Sequence, residues 1–327
     1  MKILVTGGAG YIGSFIVRAL KDAGFEPYVL DNLSRGHKEA IEGFPLAKID
    51  LVSETDKLDE FFAKEKFDGV IHMAAYIQME ESCEKPLLYY ENNVVASLNL
   101  VKAMVKNKVS KLVFSSTAGV YGEPEKLPIE EVDRKEPVNP YGETKLVVEH
   151  MLSWANKAYD LKSISIRYFN ASGAALDGSI GSDPPDESHL IPNVLHAAIE
   201  GREFTIFGGD YDTPDGTCVR DYIHVLDLAD NHILALKVLH DGAKGNVYNA
   251  GTGQGYSNKE VVEMVKKVTG RDLKVKIGPR RPGDAAKLVA SIDKIKQGLG
   301  WTPKYGLKEI VKSAYLWHKT HPKGYKS

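Results

Sequence analysis

The sequence predicts an α/β protein built on a doubly wound parallel sheet, followed by a smaller α+β domain. Three observations carry that prediction. A short apolar run, Lys2-Ile3-Leu4-Val5, leads straight into Gly7, Gly8, Gly10 and Gly13. Apolar runs then alternate with amphipathic helical stretches up to about residue 169. From Ala171 to Ser188 the chain turns rich in Gly, Ser, Asp and Pro, which marks a loop and a change of domain.

The first strand, Lys2 to Val5, is almost continuously apolar, as burial on both faces requires. Its glycines fit G-x-x-G-x-x-G at 7, 10 and 13, and G-x-G-x-x-G at 8, 10 and 13. One glycine permits the tight turn and a second lets backbone close on a pyrophosphate. The third lets the helix from Tyr11 to Ala23 pack on the strand, its N-terminal amides aimed at the phosphates. A strand before and a helix after are the context this pattern needs, so a Rossmann-type dinucleotide fold is expected. Glu26 to Asp31 reads as a second strand whose acidic end lies 18 residues beyond Gly13. A carboxylate there accepts from adenosine ribose hydroxyls and repels a 2′-phosphate, favouring NAD over NADP. Arg35 nearby reads as a solvated loop arginine.

The alternation continues with a strand at Leu46 to Leu51, a helix at Leu58 to Lys64 and a strand at Phe67 to Ala75. A long helix, Tyr89 to Val109, carries Val94, Leu98, Val101 and Val105 on one face. Lys111 to Ser115 is the fifth strand, Tyr141 to Lys157 a helix and Ser163 to Phe169 the sixth strand. Ligands of such a sheet sit at the carboxyl ends of its strands, where Gly7, Asp31, Asp50, Ala74 and Ser116 fall. After the loop come a helix near Ile191 to Glu200, a strand at Phe204 to Phe207 and a glycine- and charge-rich stretch from Gly208 to His224. A helix at Leu226 to His240 follows, and Ser257-Asn-Lys-Glu260 matches a capping box before Val261 to Val268. The expected division is a dinucleotide domain at 1–169 and a mainly substrate-binding domain at 170–327, some segments of which can return to the first.

Composition excludes several classes. A net charge of −2, with both signs spread along 327 residues, offers no nucleic-acid footprint and no polybasic membrane anchor. Cys83 and Cys218 form no C-x-x-C pair, which fits a reducing compartment without a disulfide framework or zinc site. The ten histidines make no H-E-x-x-H or H-x-H set, so no metal is expected. No apolar run approaches the ~18 residues of a membrane span, and no charged leader precedes an apolar core. A soluble cytoplasmic protein is therefore expected.

The residues best suited to chemistry are Tyr141 and Lys145 in PYGETK. Pro140 opens the helix, and positions i and i+4 share a face. A free tyrosine, with a pKa near 10, is a poor base at neutral pH. A lysine ammonium and a cationic nicotinamide ring beside it would favour the phenolate and bring that pKa down. Tyr315 and Lys319 have the same spacing, so spacing alone decides nothing. Context separates the pairs: Tyr141 follows a strand ending in Ser115-Ser116-Thr117, whereas Tyr315 sits in an amphipathic helix and reads as packing.

TGGAGYIG, the strand-ending Asp31-Asn32, SSTAGVYG (115–122) and PYGETK (140–145) together resemble the extended short-chain dehydrogenase/reductase superfamily. RYFNASGA (167–174), HLIPNVL (189–195), the block 205–232 and RRPGDAAKLVA (280–290) narrow the resemblance to its UDP-glucose 4-epimerase family, end to end. The resemblance implies that Tyr141 takes the proton from the sugar 4′-hydroxyl, that Lys145 tunes Tyr141 and holds the nicotinamide ribose, and that Thr117 bonds the reacting oxygen. Hydride would pass from C4′ to NAD and return to the other face of a transient 4-keto sugar. Implied cofactor contacts are Gly7, Gly10, Tyr11, Ile12, Gly13, Asp31, Asn32, Asp50, Leu51, Ala74, Ala75, Asn92 and Phe169, besides Tyr141 and Lys145. Implied UDP-sugar contacts are Asn170, Leu190, Phe207, Arg220, Tyr222, Arg281 and Asp284, besides Thr117. Physics supports the two arginines independently, since a guanidinium fork matches phosphate oxygens.

The resemblance also has departures. Ile77 stands where many epimerases carry a lysine that reaches the nicotinamide ribose, and Gln78-Met79-Glu80 is unusual. His189 replaces a common asparagine beside the UDP. Leu288 stands where a bulky tyrosine excludes N-acetylated sugars, which leaves UDP-N-acetylglucosamine epimerisation as the alternative substrate. A 4,6-dehydratase needs an Asp-Glu pair after the threonine, but Ala118-Gly119 follow Thr117. A dinucleotide sensor would have no need of Thr117, Tyr141 and Lys145 together. The resemblance further implies a homodimer through paired long helices, with Tyr89, Tyr90, Val94, Leu98, Leu146 and Met151 on the shared face.

Overall fold

A computed structural model of the chain describes residues 1–184, 187–281 and 284–325. Pro185 and Asp186 of the expected loop, and Pro282 and Gly283 of the 280–290 motif, lie outside the described residues. The N-terminal strand β1 (Lys2–Thr6) leads into helix α1 (Tyr11–Asp22), and β2 (Glu26–Leu30) and β3 (Leu46–Ala47) follow. Then come α2 (Thr55–Glu65), β4 (Gly69–His72), α3 (Met79–Glu84) and α4 (Pro86–Tyr89). A π-helical turn (Tyr90–Val95) joins α4 to α5 (Ala96–Lys106), so the predicted long helix is interrupted. β5 (Lys111–Thr117), α6 (Pro140–Tyr159) and β6 (Lys162–Tyr168) complete the first stretch.

Beyond it lie β7 (Asn170–Ser172), α7 (Leu190–Glu200), β8 (Phe204–Phe207), β9 (Val219–His224) and α8 (Val225–His240). β10 (Asn246–Ala250), β11 (Gly255–Ser257), α9 (Asn258–Thr269), β12 (Val275–Gly278) and β13 (Lys287–Leu288) follow, then α10 (Asp293–Leu299) and α11 (Leu307–Thr320). The main sheet runs β10-β6-β5-β4-β1-β2-β3 with every pair parallel. Its strand order reverses between β1 and β4, which opens a crevice beyond their carboxyl ends.

The two faces of this sheet carry separate cores. Ile3, Val5, Phe15, Ile16, Val113, Ile166 and Leu236 pack on one, where α1 meets α8. Leu4, Leu30, Phe62, Val70, Leu100, Phe114 and Leu152 pack on the other, beneath α2, α5 and α6. A third core gathers Ile191, Val194, Val261, Ile310 and Ala314 of α7, α9 and α11. Beside it, β9 carries β7, β11 and β13 in one small sheet, and β8 pairs with β12 in another.

Several expectations are corrected. The sheet has seven strands rather than six, because β10 returns to pair with β6. The stretch 208–224 contains β9, and the expected loop begins inside β7. The strand expected over Leu46 to Leu51 pairs only at Leu46–Ala47, since Asp50 bonds its own following residues. Tyr89 and Leu146, expected on a partner-facing surface, are core residues. Tyr89 is fully buried, its hydroxyl accepting from Gln78 N and donating to Glu81. Tyr90 and Leu98 remain exposed.

Candidate active site

The β1–α1 turn forms the floor of a cleft at the crevice, and it needs glycine for stated reasons. Gly7 has φ +66°, and a Cβ there would come within 2.6 Å of Ala74 N. A Cβ on Gly13 would overlap the Gly7 carbonyl, so α1 starts hard against the turn. Gly7, Gly10, Tyr11, Ile12 and Gly13 line the cleft, as do Asp31, Asn32, Asp50, Leu51, Ala74, Ala75 and Asn92. The structure thus brings together every implied cofactor contact except Tyr141, Lys145 and Phe169. Phe169 lies in the core with Ile166.

Asp31 accepts from Ala9 N at 3.0 Å and Leu33 N at 2.8 Å, one amide per oxygen. Each oxygen keeps a lone pair for a ribose hydroxyl. Burial pushes the Asp31 carboxyl up, against those two amides. Burial also acts upward on Asp50, but Asn32, donating at 2.7 Å, and the Ser53 and Val52 amides hold it below its ordinary range. The cradle without side chains, the helix N-terminus behind it and the acid at the strand end fit a dinucleotide carrying free ribose hydroxyls.

Residues not read from the sequence complete the walls. Ser34, Arg35, Gly36 and His37 form one side, and Gly181 to Pro184, Ser188 and Tyr325 the other. Arg35 is not a solvated loop residue: its Nη2 pairs with Glu81 at 2.6 Å, and its guanidinium lies 4.3 Å from the Tyr76 ring centre. Asn93, fully buried, accepts from Tyr76 N and donates to Tyr76 O and Thr144 Oγ1. It thereby pins the segment after β4 to α6. Ile77 lines the cleft and is 45% exposed.

Thr117 and Tyr141 meet at the end of β5. Asn139 caps α6 by accepting from Gly142 N at 2.9 Å, and Pro140 occupies its first position. A Cβ on Gly142 would come within 2.5 Å of the Gly119 carbonyl, so the first turn of α6 sits directly on the exit of β5. Burial pushes the Tyr141 phenol well above its ordinary range, and the neighbouring Thr117 hydroxyl opposes this only in part.

Lys145 stands on the exit of β5, one turn along α6 from Tyr141. Its ammonium donates to the Ser115 carbonyl at 2.7 Å and lies 4.9 Å from the Phe114 ring centre. Burial brings the Lys145 pKa down to about 7, against the opposing charge of Glu149. Burial likewise pushes the Tyr168 phenol up.

The implied sugar-nucleotide contacts gather around β9. Asn170 and Tyr222 are register partners, and Arg220 pairs with Leu288. The Arg220 guanidinium donates to the Ala285 carbonyl at 2.7 Å and faces Asp284 at 3.4 Å. Arg281 lies 4.1 Å over the Phe207 ring, and Leu190 opens α7. His189, the residue before that helix, lines the dinucleotide cleft and pairs with Glu187 at 2.8 Å. Among the described residues no group of three or more His, Cys, Asp or Glu could hold a metal.

Comparison with known proteins gives a consistent result. Residues 3–251 match the model of the NAD dependent epimerase/dehydratase family. The chain is 50% identical, over 99% of both chains, to a UDP-glucose 4-epimerase of Lactobacillus helveticus. A crystal structure of a UDP-glucose 4-epimerase superposes with a TM-score of 0.97 at 46% identity, covering 100% of each chain. A Bifidobacterium longum UDP-glucose 4-epimerase in complex with NAD+ and UDP superposes at 0.92, with 37% identity over 99% of this chain and 100% of the other.

Proposed function

The chain belongs to the NAD dependent epimerase/dehydratase family, and we propose that it works there as a UDP-glucose 4-epimerase interconverting UDP-galactose and UDP-glucose. The observation that carries this reading is the first turn of α6 seated on the exit of β5, which sets Tyr141 and Thr117 at the same sheet edge as a glycine-floored cleft lined by Asp31. Half-identical relatives with the same name support it over the full length.

Bound NAD supplies reversible acceptance of hydride from C4′ and a positive ring that favours the phenolate. The protein's own groups do the rest. Tyr141 holds and returns the proton of the 4′-oxygen, and the Thr117 hydroxyl orients that oxygen. Lys145, anchored on the Ser115 carbonyl, would hold the nicotinamide ribose and tune Tyr141 from the next turn of the same helix face. Gly7, Gly10 and the N-terminus of α1 hold the pyrophosphate, while Asp31 and Asp50 hold the adenosine end. Arg220 and Arg281 bind the UDP phosphates, and Asn170, Leu190, Phe207, Tyr222 and Asp284 frame the uridine and sugar. Residues 1–169 carry the NAD site and 170–327 most of the UDP-sugar site, with α8 and β10 packing back on the first sheet.

The working form is a cytoplasmic homodimer. Exposed Leu87, Tyr90, Leu98 and Trp154 along α4, the π turn, α5 and α6 support a helix-pair contact. No described helix is long and apolar enough to cross a membrane. The test mixes the purified protein, without added NAD, with UDP-galactose and follows UDP-glucose and reduced-nicotinamide absorbance. UDP-glucose without net NADH, abolished by Tyr141→Phe, is the expected outcome. Accumulating NADH or a stable keto product overturns it.

A further inference from the structure

Three segments remote in sequence close on one another at the adenosine end of the cleft. The His37 ring, from the loop after β2, lies 4.9 Å from the Tyr325 ring at 32°. Tyr325 in turn packs 4.8 Å from Trp317 of α11. Its hydroxyl bonds both the N–H and the carbonyl of Gly181 at 3.2 Å, and its own N–H donates to Asp183 at 2.9 Å. His37 Nε2 donates to the Asp183 carbonyl at 2.6 Å, and Trp317 Nε1 to the Ser182 carbonyl at 3.0 Å. Two glycines make the fit possible. A Cβ on Gly181 would overlap the Trp317 ring, and one on Gly324 would overlap the Asp183 carboxylate.

His37, Asp183 and Tyr325 all line the dinucleotide cleft, so this cluster is part of its wall. It joins the lip formed by the β2 loop to the opposite lip before α7. A ligand seated along β1 and β2 is enclosed by that join, and it leaves only when the join opens. We propose that Tyr325, clasped between His37 and Trp317, is a cofactor-retaining residue that sets how fast NAD dissociates. This inference rests on the NAD-dependent reading above and assigns a role to residues outside the glycine turn.

The test is a chase of protein-bound NAD with excess unlabelled NAD, measured on wild type, Tyr325→Ala, Tyr325→Phe and His37→Ala. Removing the ring pair and the Gly181 bonds in Tyr325→Ala speeds NAD loss by about tenfold or more. Tyr325→Phe keeps the stack and loses only the bonds, so it falls between wild type and Tyr325→Ala. His37→Ala, which leaves Tyr325 and its Trp317 contact in place, also speeds loss. Rates within about twofold of wild type for folded Tyr325→Ala and His37→Ala overturn the clasp while leaving the epimerase reading intact. A wild-type protein that takes up no NAD overturns both.

Discussion

Arg167 and Glu149 form a buried two-point ion pair that ties the end of β6 to the middle of α6. Nε meets one carboxylate oxygen at 2.9 Å and Nη2 the other at 2.5 Å, with both side chains less than a tenth exposed. Ser116 donates to the same carboxylate, and Arg167 also donates to the Tyr121 hydroxyl. The Glu149 carboxylate thus holds α6, whose first turn presents Tyr141, against β6 through Arg167 and against β5, which carries Thr117, through Ser116.

Removing one partner leaves a buried charge uncompensated, so Glu149→Ala should cost about 3–5 kcal/mol. Replacing both with apolar residues of similar volume should cost far less, because desolvation then disappears from the balance. Urea unfolding of Glu149→Ala, Arg167→Met and the Glu149→Leu/Arg167→Met double variant measures this. A double variant no more stable than the singles would show that the bonds to Ser116 and the Tyr121 hydroxyl, lost in both cases, dominate over the desolvation of the charges.

Acid should destabilise the protein before its carboxylates titrate. Burial holds His72 down to about 3, and His224, His232 and His318 down to about 4, from an ordinary value near 6.5. Between about pH 6.5 and 4 the unfolded chain binds these protons and the folded chain does not. Stability thus drops as the pH is lowered through that window, by up to about 1.4 kcal/mol per pH unit for each histidine. Asp227 opposes this, since burial raises its carboxyl to about 6 and the folded state gains a proton there as pH falls. Asp31 and Asp221, whose carboxyls burial also raises, oppose in the same sense, so the four histidines predict a net but shallower loss, read as a urea midpoint that drops from pH 7 to pH 5. Lys145 adds a slope of the same sign higher up, with stability rising from about pH 7 to 10.5 as the unfolded lysine gives up its proton.

The first half of the chain was legible because its signals are local. A strand buried on both faces is an apolar run, and a glycine turn followed by a helix states its own geometry. β10 and β9 escaped because their polar residues are satisfied from far away. In NVYNA, Asn249 receives the Tyr121 hydroxyl, bonds Ile129 O and lends its N–H to Glu131. In VRDYIH, buried Asp221 accepts the amides of Thr252, Gly253 and Ala290. Neither partner set can be seen from the strand itself, so neither segment reads as a strand. The site divides the same way. Tyr141, Asp31 and the glycines are visible locally, while Arg35 on Glu81 and Tyr325 on His37 exist only once distant segments meet. The Lys145 anchor on the Ser115 carbonyl is likewise a contact across elements that i+4 spacing alone does not show.

Gly13→Ala tests the cradle directly. The added methyl would overlap the Gly7 carbonyl, and the backbone on both sides is already packed. Overpacking of this kind costs about 1–3 kcal/mol of stability. The shift should also push the α1 amides away from the pyrophosphate, so NAD content after gel filtration should fall more steeply than the melting temperature. Gly24→Ala is the matched control, since a Cβ there meets nothing within 4 Å, although its φ of +82° carries its own strain. Loss of NAD in Gly24→Ala equal to that in Gly13→Ala would show that general destabilisation is responsible.

Arg281 should separate substrate binding from chemistry. Its guanidinium rests 4.1 Å over the Phe207 ring, while Arg220 is held by the Ala285 carbonyl and Asp284. A stacked guanidinium keeps its in-plane N–H groups free for phosphate, so Arg281 can engage a diphosphate without first breaking an ion pair. Arg220 must share its charge with Asp284, which weakens its net pull on an incoming anion. Arg281→Ala should therefore raise the KM for UDP-galactose by about 10- to 100-fold, the worth of one or two charged hydrogen bonds, with kcat and bound NAD little changed. Arg281→Lys should recover only part of that, because a point charge replaces the planar fork. A kcat that falls as steeply as kcat/KM would instead mean that Arg281 acts in the transition state.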